Sequence, residues 1–324
     1  MKLHLDKDAF VVLLNEIHSK TGYRLDVLEK DYYVVLILKE LSSSQGDGLP
    51  AYFKGGTALY KALKTTNRFS EDIDISVDVR GCSRTQGDKR LEKASKKYLQ
   101  LERIAGEGKS NRSEVISFYR YVPLFSYDKN DALQRFGRVK IEATSFTISE
   151  PVSDMEISPM IFDLASDSQK DILVNRYDVK PFTIKTISLE RTFIDKLFAA
   201  EAYFRKSDDI HKAFEVAKHV YDLAILEQNE KIINLLSNES QLNYLLNIRL
   251  EEEKERLDGI PGIKPLDFII FDNIENNKNI KKAFENMQRQ YVLQEQHKME
   301  YYDMVKAIQR IKDKLLENRA WMVQ

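Results

Sequence analysis

The sequence of 324 residues contains one cysteine, Cys82, and five histidines. A lone cysteine excludes an intramolecular disulfide framework and a cysteine-based zinc cluster, and the histidines show no metal-ligand spacing such as HExxH. An excess of charge of one sign is also missing, because 50 lysines and arginines face 51 aspartates and glutamates. This balance excludes a polybasic coat, yet it is compatible with a basic stripe along one groove and thus with nucleic acid.

Long hydrophobic runs are absent as well. The longest uncharged apolar run is Tyr32–Leu38, whereas a membrane span needs roughly 18 such residues. The first ten residues lack the apolar core of a signal peptide. We therefore expect a cytoplasmic protein without a membrane partner, and the single cysteine is consistent with a reducing compartment.

The hydrophobic pattern changes character along the chain. Hydrophobic residues make up 43% of the sequence, which is enough to bury a sizeable core. Strands are predicted at 51–53, 72–79, 114–124, 138–148 and 181–187, with helices at 6–20, 24–42, 57–64 and 88–105. After these, helical periodicity predicts helices at 189–206, 209–226, 229–238, 240–257, 278–292 and 297–318. The layout predicts an α/β (α+β) domain with a mixed twisted sheet over 1–185 and an all-helical C-terminal domain over 186–324.

A glycine pair precedes one of the predicted helices. A short strand ends at Gly55 and Gly56, and the helix is expected to start at Thr57. Glycines allow the backbone to approach a ligand closely, and a helix N-terminus offers free N–H groups to an anion. The Thr57 hydroxyl would add a donor. The same pattern also occurs in ordinary loop-to-helix turns, so by itself it does not establish a phosphate site.

Two aspartates follow on the next predicted strand. Asp72 and Asp74 are two residues apart, so their carboxylates project from one face while Ile73 and Ile75 face the core. Neighbouring carboxylates repel each other unless a cation sits between them, and Mg²⁺ accepts such a pair together with phosphate oxygens. An exposed acidic pair at a strand entry is the alternative. Close after a glycine turn, the pair favours a metal–nucleotide site.

Glu142 is a candidate third carboxylate. It lies on the polar face of a predicted strand together with Lys140, opposite Val139 and Ile141. A third acid would complete a two-metal clamp of the kind that stabilises the attacking and leaving oxygens in phosphoryl transfer. The alternative is a solvent-facing glutamate that pairs with Lys140 or Arg138, and the sequence does not decide between the two.

The front half resembles the nucleotidyltransferases of the DNA polymerase β superfamily, whose site is a glycine turn followed by DxD on the next strand. It is more similar to the AbiEii/AbiGii toxin family, which includes the MenT toxins. The matching segments are Lys30–Tyr33, Phe53–Lys61, Arg68–Asp74, Glu190–Leu197 and Lys218–Leu223. Their order and spacing, over about residues 26–226, make the resemblance specific.

The resemblance implies roles for individual residues. Gly55, Gly56 and Thr57 correspond to phosphate contacts, and Asp72 and Asp74 to ligands of Mg²⁺. The matching segments also place Lys61, Arg68 and Lys196 among the nucleotide-binding residues, and Lys196 and Asp222 in the catalytic set. The third catalytic acid is either Glu142 or Asp222. Two positions depart from the family: threonine replaces the usual serine of the glycine turn, and Lys218-His219 replaces Arg-His.

The back-half residues carry less information without the resemblance. Lys196 lies off the apolar stripe of its predicted helix, where a lysine is usually solvated. Lys218 and Asp222 are four residues apart, so a surface ion pair would explain both. His219 and Asp222 are three residues apart, a spacing at which the carboxylate can orient the imidazole.

The implied activity is Mg²⁺-dependent transfer of a nucleoside monophosphate from an NTP to an acceptor hydroxyl. The resemblance points to tRNA as acceptor, and interleaved basic and aromatic residues at 112–121 and 135–140 are compatible with RNA. It also implies the toxin of a toxin–antitoxin or phage-defence system, with a cognate antitoxin that need not form a stable complex. The alternatives are a protein or small-molecule acceptor, or a non-catalytic interaction protein on the same scaffold.

Overall fold

The structure, a computed structural model, describes residues 1–125, 136–146, 150–255 and 259–317. The ends of the predicted segments 138–148, 240–257 and 297–318, and the start of the basic stretch 135–140, lie outside the described residues. The chain forms two compact units. The first comprises Met1–Leu63 and Ser70–Thr186, and the second comprises Lys64–Phe69 and Ile187–Gln324. A six-residue segment in the middle of the first unit's sequence therefore belongs to the second.

The first unit combines helices with one sheet. Its helices are α1 (Lys7–Thr21), α2 (Leu25–Gly46), α3 (Gly55–Lys61), α4 (Arg84–Lys96), α5 (Met160–Asp163) and α6 (Asp167–Tyr177). Its strands are β1 (Ala51–Lys54), β2 (Ile73–Val77), β3 (Glu102–Arg103), β4 (Lys109–Ser110), β5 (Glu114–Arg120), β6 (Arg138–Thr144), β7 (Val152–Ile157) and β8 (Phe182–Ile187).

The strands of the described residues form a mixed sheet in the order β3-β5-β6-β2-β1-β8-β7, and β4 pairs with β5 at its side. β1 is antiparallel to β2 and parallel to β8, β2 is parallel to β6, and β5 is antiparallel to β6. The predicted mixed sheet is therefore confirmed. β2 lies at its centre, between β1 and β6.

The alternation predicted for the central strands is confirmed by burial. Ile73 and Ile75 on β2, and Ile141 and Ala143 on β6, are fully buried. Since successive side chains point to opposite faces, the polar residues between them emerge on the other face of the sheet. This face carries the predicted acidic residues.

Some predicted elements are wrong in extent or were not foreseen. The helix predicted at 88–105 begins instead at Arg84, where Ser83 and Gln86 form a capping box, and it ends at Lys96. β3 follows where the helix was expected to continue. β7, α5 and α6 had no prediction, because β7 is a half-exposed strand and α6 buries only Leu173 and Tyr177. Their hydrophobic periodicity is correspondingly weak.

In the second unit, the described elements from Leu189 onward are helices. They are α7 (Leu189–Phe204), α8 (Ile210–Leu226), α9 (Glu230–Ser237), α10 (Glu239–Glu255), α11 (Ile270–Asn273), α12 (Lys278–Tyr291) and α13 (Tyr301–Glu317), with two short 3-10 turns between them. α8 packs against α7, α12 and α13. Within the described ranges, no helix is long and apolar enough to cross a membrane.

The segment Lys64–Phe69 attaches to the second unit through backbone bonds. The Phe69 N–H donates to the Tyr291 carbonyl at 2.7 Å, and Arg68 forms an isolated antiparallel bridge with Val292. This placement is set by pairing between residues more than 200 positions apart. Local sequence patterns do not reveal such a pairing.

Helix α2 of the first unit buries charged residues among its apolar ones. Glu29 and Lys30 are each 1% exposed. Glu29 accepts a hydrogen bond from the Leu124 N–H at 2.9 Å, and burial raises the pKa of this carboxyl to about 7. Lys30 donates to the Arg138 carbonyl at the start of β6, and its ammonium lies 3.8 Å from Glu71. Buried charges are tolerated only when they are compensated in this way.

The next residue on α2, Asp31, is equally buried and binds two further elements. Its carboxylate accepts from the Met160 N–H at the start of α5 at 2.6 Å and from the Lys61 ammonium at the end of α3 at 2.8 Å. The segment Lys30–Tyr33, singled out in the sequence, is thus a structural centre of the first unit.

We predict that Lys30→Met lowers the free energy of unfolding by about 3–5 kcal/mol, because it removes the ammonium that faces the buried Glu71. Chemical denaturation measures this change. The matched control is Lys39→Met on the same helix, whose ion pair with Asp178 is far more exposed than that of Lys30 with Glu71, at 26% and 46% of the two side chains against 1% each. Partly exposed pairs contribute less than buried ones, so the control should change stability by about 1 kcal/mol or less. Equal effects of the two substitutions would contradict the prediction.

Candidate active site

The turn between β1 and α3 brings the backbone against a carboxylate. Gly55 has φ +80°, a left-handed conformation that favours glycine, and α3 starts at this residue rather than at Thr57 as predicted. A Cβ added at Gly55 would lie 2.1 Å from Oδ2 of Asp74. The left-handed φ and the missing space for a Cβ therefore both require glycine here. The missing space also shows that Asp74 packs directly against the turn.

Thr57 is fully buried in the first turn of α3. Its hydroxyl lies against the Asp72 carbonyl oxygen and 3.0 Å from the Ser70 hydroxyl. The side chain thereby ties the glycine turn to the segment that enters β2. The predicted phosphate contact of Thr57 stays a prediction, and the structure gives its hydroxyl this additional role.

The three candidate acids of the first unit, Asp72, Asp74 and Glu142, lie on one face of neighbouring strands, and we call them the acidic cluster. Asp74 is directly opposite Glu142 in the parallel register of β2 and β6. Asp72 precedes β2 and is two residues from Asp74. Burial raises the pKa of Asp74 to about 7, and the charges of Glu142 and Asp72 contribute to this rise. Carboxylates arranged in this way attract a cation.

Two lysines of the same sheet face accompany the acidic cluster. Lys140 lies 3.0 Å from Glu142 and 3.8 Å from Asp72. Lys54 is directly opposite Asp74 in the register of β1 and β2, and its ammonium donates to the Thr144 hydroxyl at 3.0 Å. Glu142 thus forms the ion pair with Lys140 that the alternative interpretation named, and its role as third acid stays a prediction. Neither lysine was recognised as a site residue from sequence, although strand alternation places both on this face.

Two opposing effects act on the pKa of Lys140. Burial alone would lower its pKa, but the carboxylates of Asp72, Glu142 and Asp74 outweigh burial and hold the pKa above the usual value of lysine. The ammonium is therefore charged at neutral pH. The sheet face thus alternates anions and cations, a pattern that neutralises most of its charge.

The residues present fit a magnesium ion that is completed by substrate. Among the described residues, no three histidine, cysteine or acidic side chains are gathered into a ready-made metal site. Mg²⁺ is usually held by one or two carboxylates together with substrate phosphates and water, rather than by an all-protein cage. Asp72 and Asp74 supply such a pair of hard oxygen donors.

Lys61 forms a buried ion pair with helix α2. It is the last residue of α3 and is 5% exposed, with its ammonium 2.8 Å from Asp31 on α2. This ion pair fixes the end of α3. The predicted nucleotide contact of Lys61 stays a prediction.

In the second unit, Arg68, Lys196 and Asp222 come together. Asp222 is completely buried, and Arg68 donates to both of its carboxylate oxygens at 2.8 and 2.6 Å. The Lys196 ammonium lies 2.6 Å from Asp222, and the Thr66 hydroxyl donates at 3.1 Å. Burial alone would raise the pKa of Asp222, but Arg68 and Lys196 reverse this and hold it well below its usual range.

Two interpretations of the back-half residues are wrong. Lys196 is not solvated, since it is only 5% exposed and its charge is matched by a buried carboxylate. Lys218 does not pair with Asp222, because its ammonium lies 2.7 Å from Glu215 instead. His219 stacks on Tyr203, and burial together with the charge of Lys196 holds its pKa well below the usual value.

A strand that ends in a glycine turn, a short helix, and two carboxylates at the start of a second strand form the arrangement that the sequence predicts for a nucleotidyltransferase site. Comparison with known proteins agrees. Residues 36–314 match the family described as nucleotidyl transferase AbiEii toxin, type IV TA system. The chain belongs to this AbiEii nucleotidyltransferase toxin family. The match begins after the Lys30–Tyr33 segment and includes all the candidate site residues.

Two solved structures are similar to the chain, and both come from Helicobacter pylori. JHP933 shares 16% sequence identity with a TM-score of 0.40, over 93% of this chain and 97% of that one. A presumed nucleotidyltransferase shares 14% identity with a TM-score of 0.33, over 98% of each chain. Similarity at this level does not constrain the site. No curated protein matches the sequence.

We predict that Gly55→Ala impairs both folding and nucleotidyl transfer, because the new Cβ would displace the Asp74 carboxylate. The matched control is Gly22→Ala, since Gly22 has φ +74° but no atom within 4 Å of the position that an added Cβ would take. Each substitution loses about 1–2 kcal/mol of unfolding free energy to the left-handed backbone. The clash should cost Gly55→Ala about 1–3 kcal/mol more. Thermal unfolding and a transfer assay would check this, and equal behaviour of the two variants would contradict it.

Proposed function

We propose that the protein transfers a nucleoside monophosphate from an NTP to an acceptor hydroxyl on RNA, with tRNA as the acceptor implied by the family resemblance. The observation that supports this most is the acidic cluster in register on β2 and β6, with Asp74 packed against Gly55. Paired hard oxygen donors beside a close-approach backbone suit a metal–triphosphate complex.

The reaction is an in-line displacement at the α-phosphorus of the NTP. The acceptor oxygen forms the new P–O bond, the bond to the β-phosphate bridging oxygen breaks, and pyrophosphate leaves. Asp72 and Asp74 would hold Mg²⁺, which supplies charge stabilisation when bound. Gly55 and Gly56 would let the backbone approach the β- and γ-phosphates. Lys196 is proposed as a cation for a nucleotide phosphate.

Glu142 is better suited than Asp222 to be the third acid. Its side chain is 29% exposed and lies beside Asp74 in the sheet, so an acceptor hydroxyl can reach it. Asp222 is completely buried and its two oxygens already accept from Arg68, Lys196 and Thr66. We therefore propose Glu142 as the base that receives the acceptor proton, and Asp222 as a positioning residue that holds Arg68 and Lys196.

The proposal extends to the biological context of the family. The chain acts as the toxin of a type IV toxin–antitoxin pair, and we propose a role in phage defence with a cognate antitoxin that does not need to form a stable complex. The catalytic domain is proposed to cover 1–185 and a helical domain 186–324. RNA would contact the basic and aromatic residues around 112–121.

The central test supplies purified protein with Mg²⁺, total tRNA and each α-³²P-labelled NTP in turn, and separates the products on a denaturing gel. We expect label in tRNA with one or more of the four nucleotides. Asp72→Ala should reduce transfer by about 10²-fold or more, since it removes a proposed metal ligand. Asp78→Ala is the matched control, because Asp78 lies just beyond β2 and pairs with Arg80 at the surface.

Other outcomes of this test are equally informative. Label that enters protein or a small molecule would replace tRNA by that acceptor and keep the reaction. An absence of transfer, together with no stabilisation of the fold by Mg²⁺ and NTP, would leave a non-catalytic interaction protein. Full activity of Asp72→Ala would remove the metal assignment.

We further predict that Glu142→Gln and Asp222→Asn fail in different ways. Glu142→Gln should lower kcat by about 10²-fold or more with little change in stability, as expected for loss of a general base. Asp222→Asn should lower the free energy of unfolding by about 3–5 kcal/mol, because it leaves Arg68 and Lys196 without their buried counter-charge. Kinetics and chemical denaturation measure the two quantities. A stable but inactive Asp222→Asn, together with a fully active Glu142→Gln, would instead identify Asp222 as the catalytic acid.

A further inference from the structure

Lys140 occupies an unusual place in the acidic cluster. It precedes Glu142 on β6 by two residues, so both side chains emerge on the same face of the sheet. Its ammonium lies 3.0 Å from Glu142 and 3.8 Å from Asp72, and its side chain is 29% exposed. The lysine therefore reaches from the third acid to a proposed metal ligand. Nothing in the transfer chemistry derived above uses it.

The charges around Lys140 can be counted from the register. Asp72 and Glu142 contribute negative charge to this sheet face, Asp74 adds a third charge in its ionised form, and Lys54 and Lys140 contribute two positive charges. Lys54 is directed to the Thr144 hydroxyl, whereas Lys140 contacts two of the three carboxylates. These two carboxylates come from different segments of the chain, and the Lys140 ammonium lies between them.

We propose that Lys140 is a built-in counter-ion that holds the acidic cluster together without metal, and that it must give up its carboxylates when a divalent cation binds. This inference rests on the proposed function, since it concerns the same carboxylates. A lysine suits the task because its ammonium is a compact charge on a flexible stem, and about a third of this side chain faces solvent into which it can move.

According to this proposal, the Lys140 ammonium and the divalent cation compete for the same carboxylates. An ammonium within about 4 Å of a divalent-cation site opposes binding through direct charge repulsion, and the half-buried surroundings strengthen the effect. Removing this charge should tighten metal binding in the absence of nucleotide by about tenfold or more. A lysine that only stabilised the sheet would have no such effect, and one that only contacted phosphate would leave metal binding without NTP unchanged.

The test measures binding of Mg²⁺ alone by calorimetry, and of Mn²⁺ alone by electron paramagnetic resonance, to nucleotide-free protein. Lys140→Met removes the charge and keeps most of the side-chain volume, and Lys140→Arg keeps the charge. The matched control is Lys96→Met, because Lys96 is similarly exposed and pairs with Glu92 at 3.1 Å on α4 of the same unit. Thermal unfolding in EDTA and in Mg²⁺ provides a second readout.

We expect Lys140→Met to bind the metal about tenfold tighter or more, while Lys140→Arg and Lys96→Met bind like the wild type. In EDTA, Lys140→Met should unfold at a lower temperature than the wild type, and Mg²⁺ should restore more of its stability. Metal binding by Lys140→Met that is unchanged, weaker or undetectable would overturn the proposal. Transfer by the wild type with labelled NTP judges the proposed function separately, so the two can fail independently.

Discussion

The first unit depends on like charges that are held next to each other. The register of β2 and β6 puts Asp74 opposite Glu142, and Asp74 is also packed against the backbone of Gly55. Neighbouring carboxylates repel each other, so the arrangement requires nearby positive charge. Lys54 and Lys140 supply it from the neighbouring strands. The carboxylates that are proposed to bind the metal are therefore the same ones that the two lysines stabilise.

The two units use buried charge for different purposes. In the first, the acidic cluster is partly exposed and incompletely neutralised, which leaves it open to a cation. In the second, Asp222 is fully buried and matched by Arg68, Lys196 and Thr66. An acid that is so completely satisfied is stable in its charged form but has little capacity left for chemistry. Burial and the number of partners thus separate acids that looked equivalent in sequence.

Short-range patterns predicted much of this molecule. The alternation around Asp72 and Asp74 gave the correct exposed face, because a strand repeats every two residues. Glu142 was recognised as a candidate for the same reason. The sequence could not show that β6 lies beside β2, and so it could not reveal Lys140 between two carboxylates. Nor could it place Lys64–Phe69 in the second unit or bury Lys196, since both depend on contacts between distant residues.

Helix α2 has a consequence for how the first unit opens. Three successive side chains, Glu29, Lys30 and Asp31, bind backbone groups that are 95, 108 and 129 residues away along the chain. Such contacts form only after long loops have closed, and all of them must break before the helix can separate. Backbone amides in the middle of α2 should thus exchange with solvent only when the whole unit unfolds, while the two-residue strands β3 and β4 exchange through local fraying.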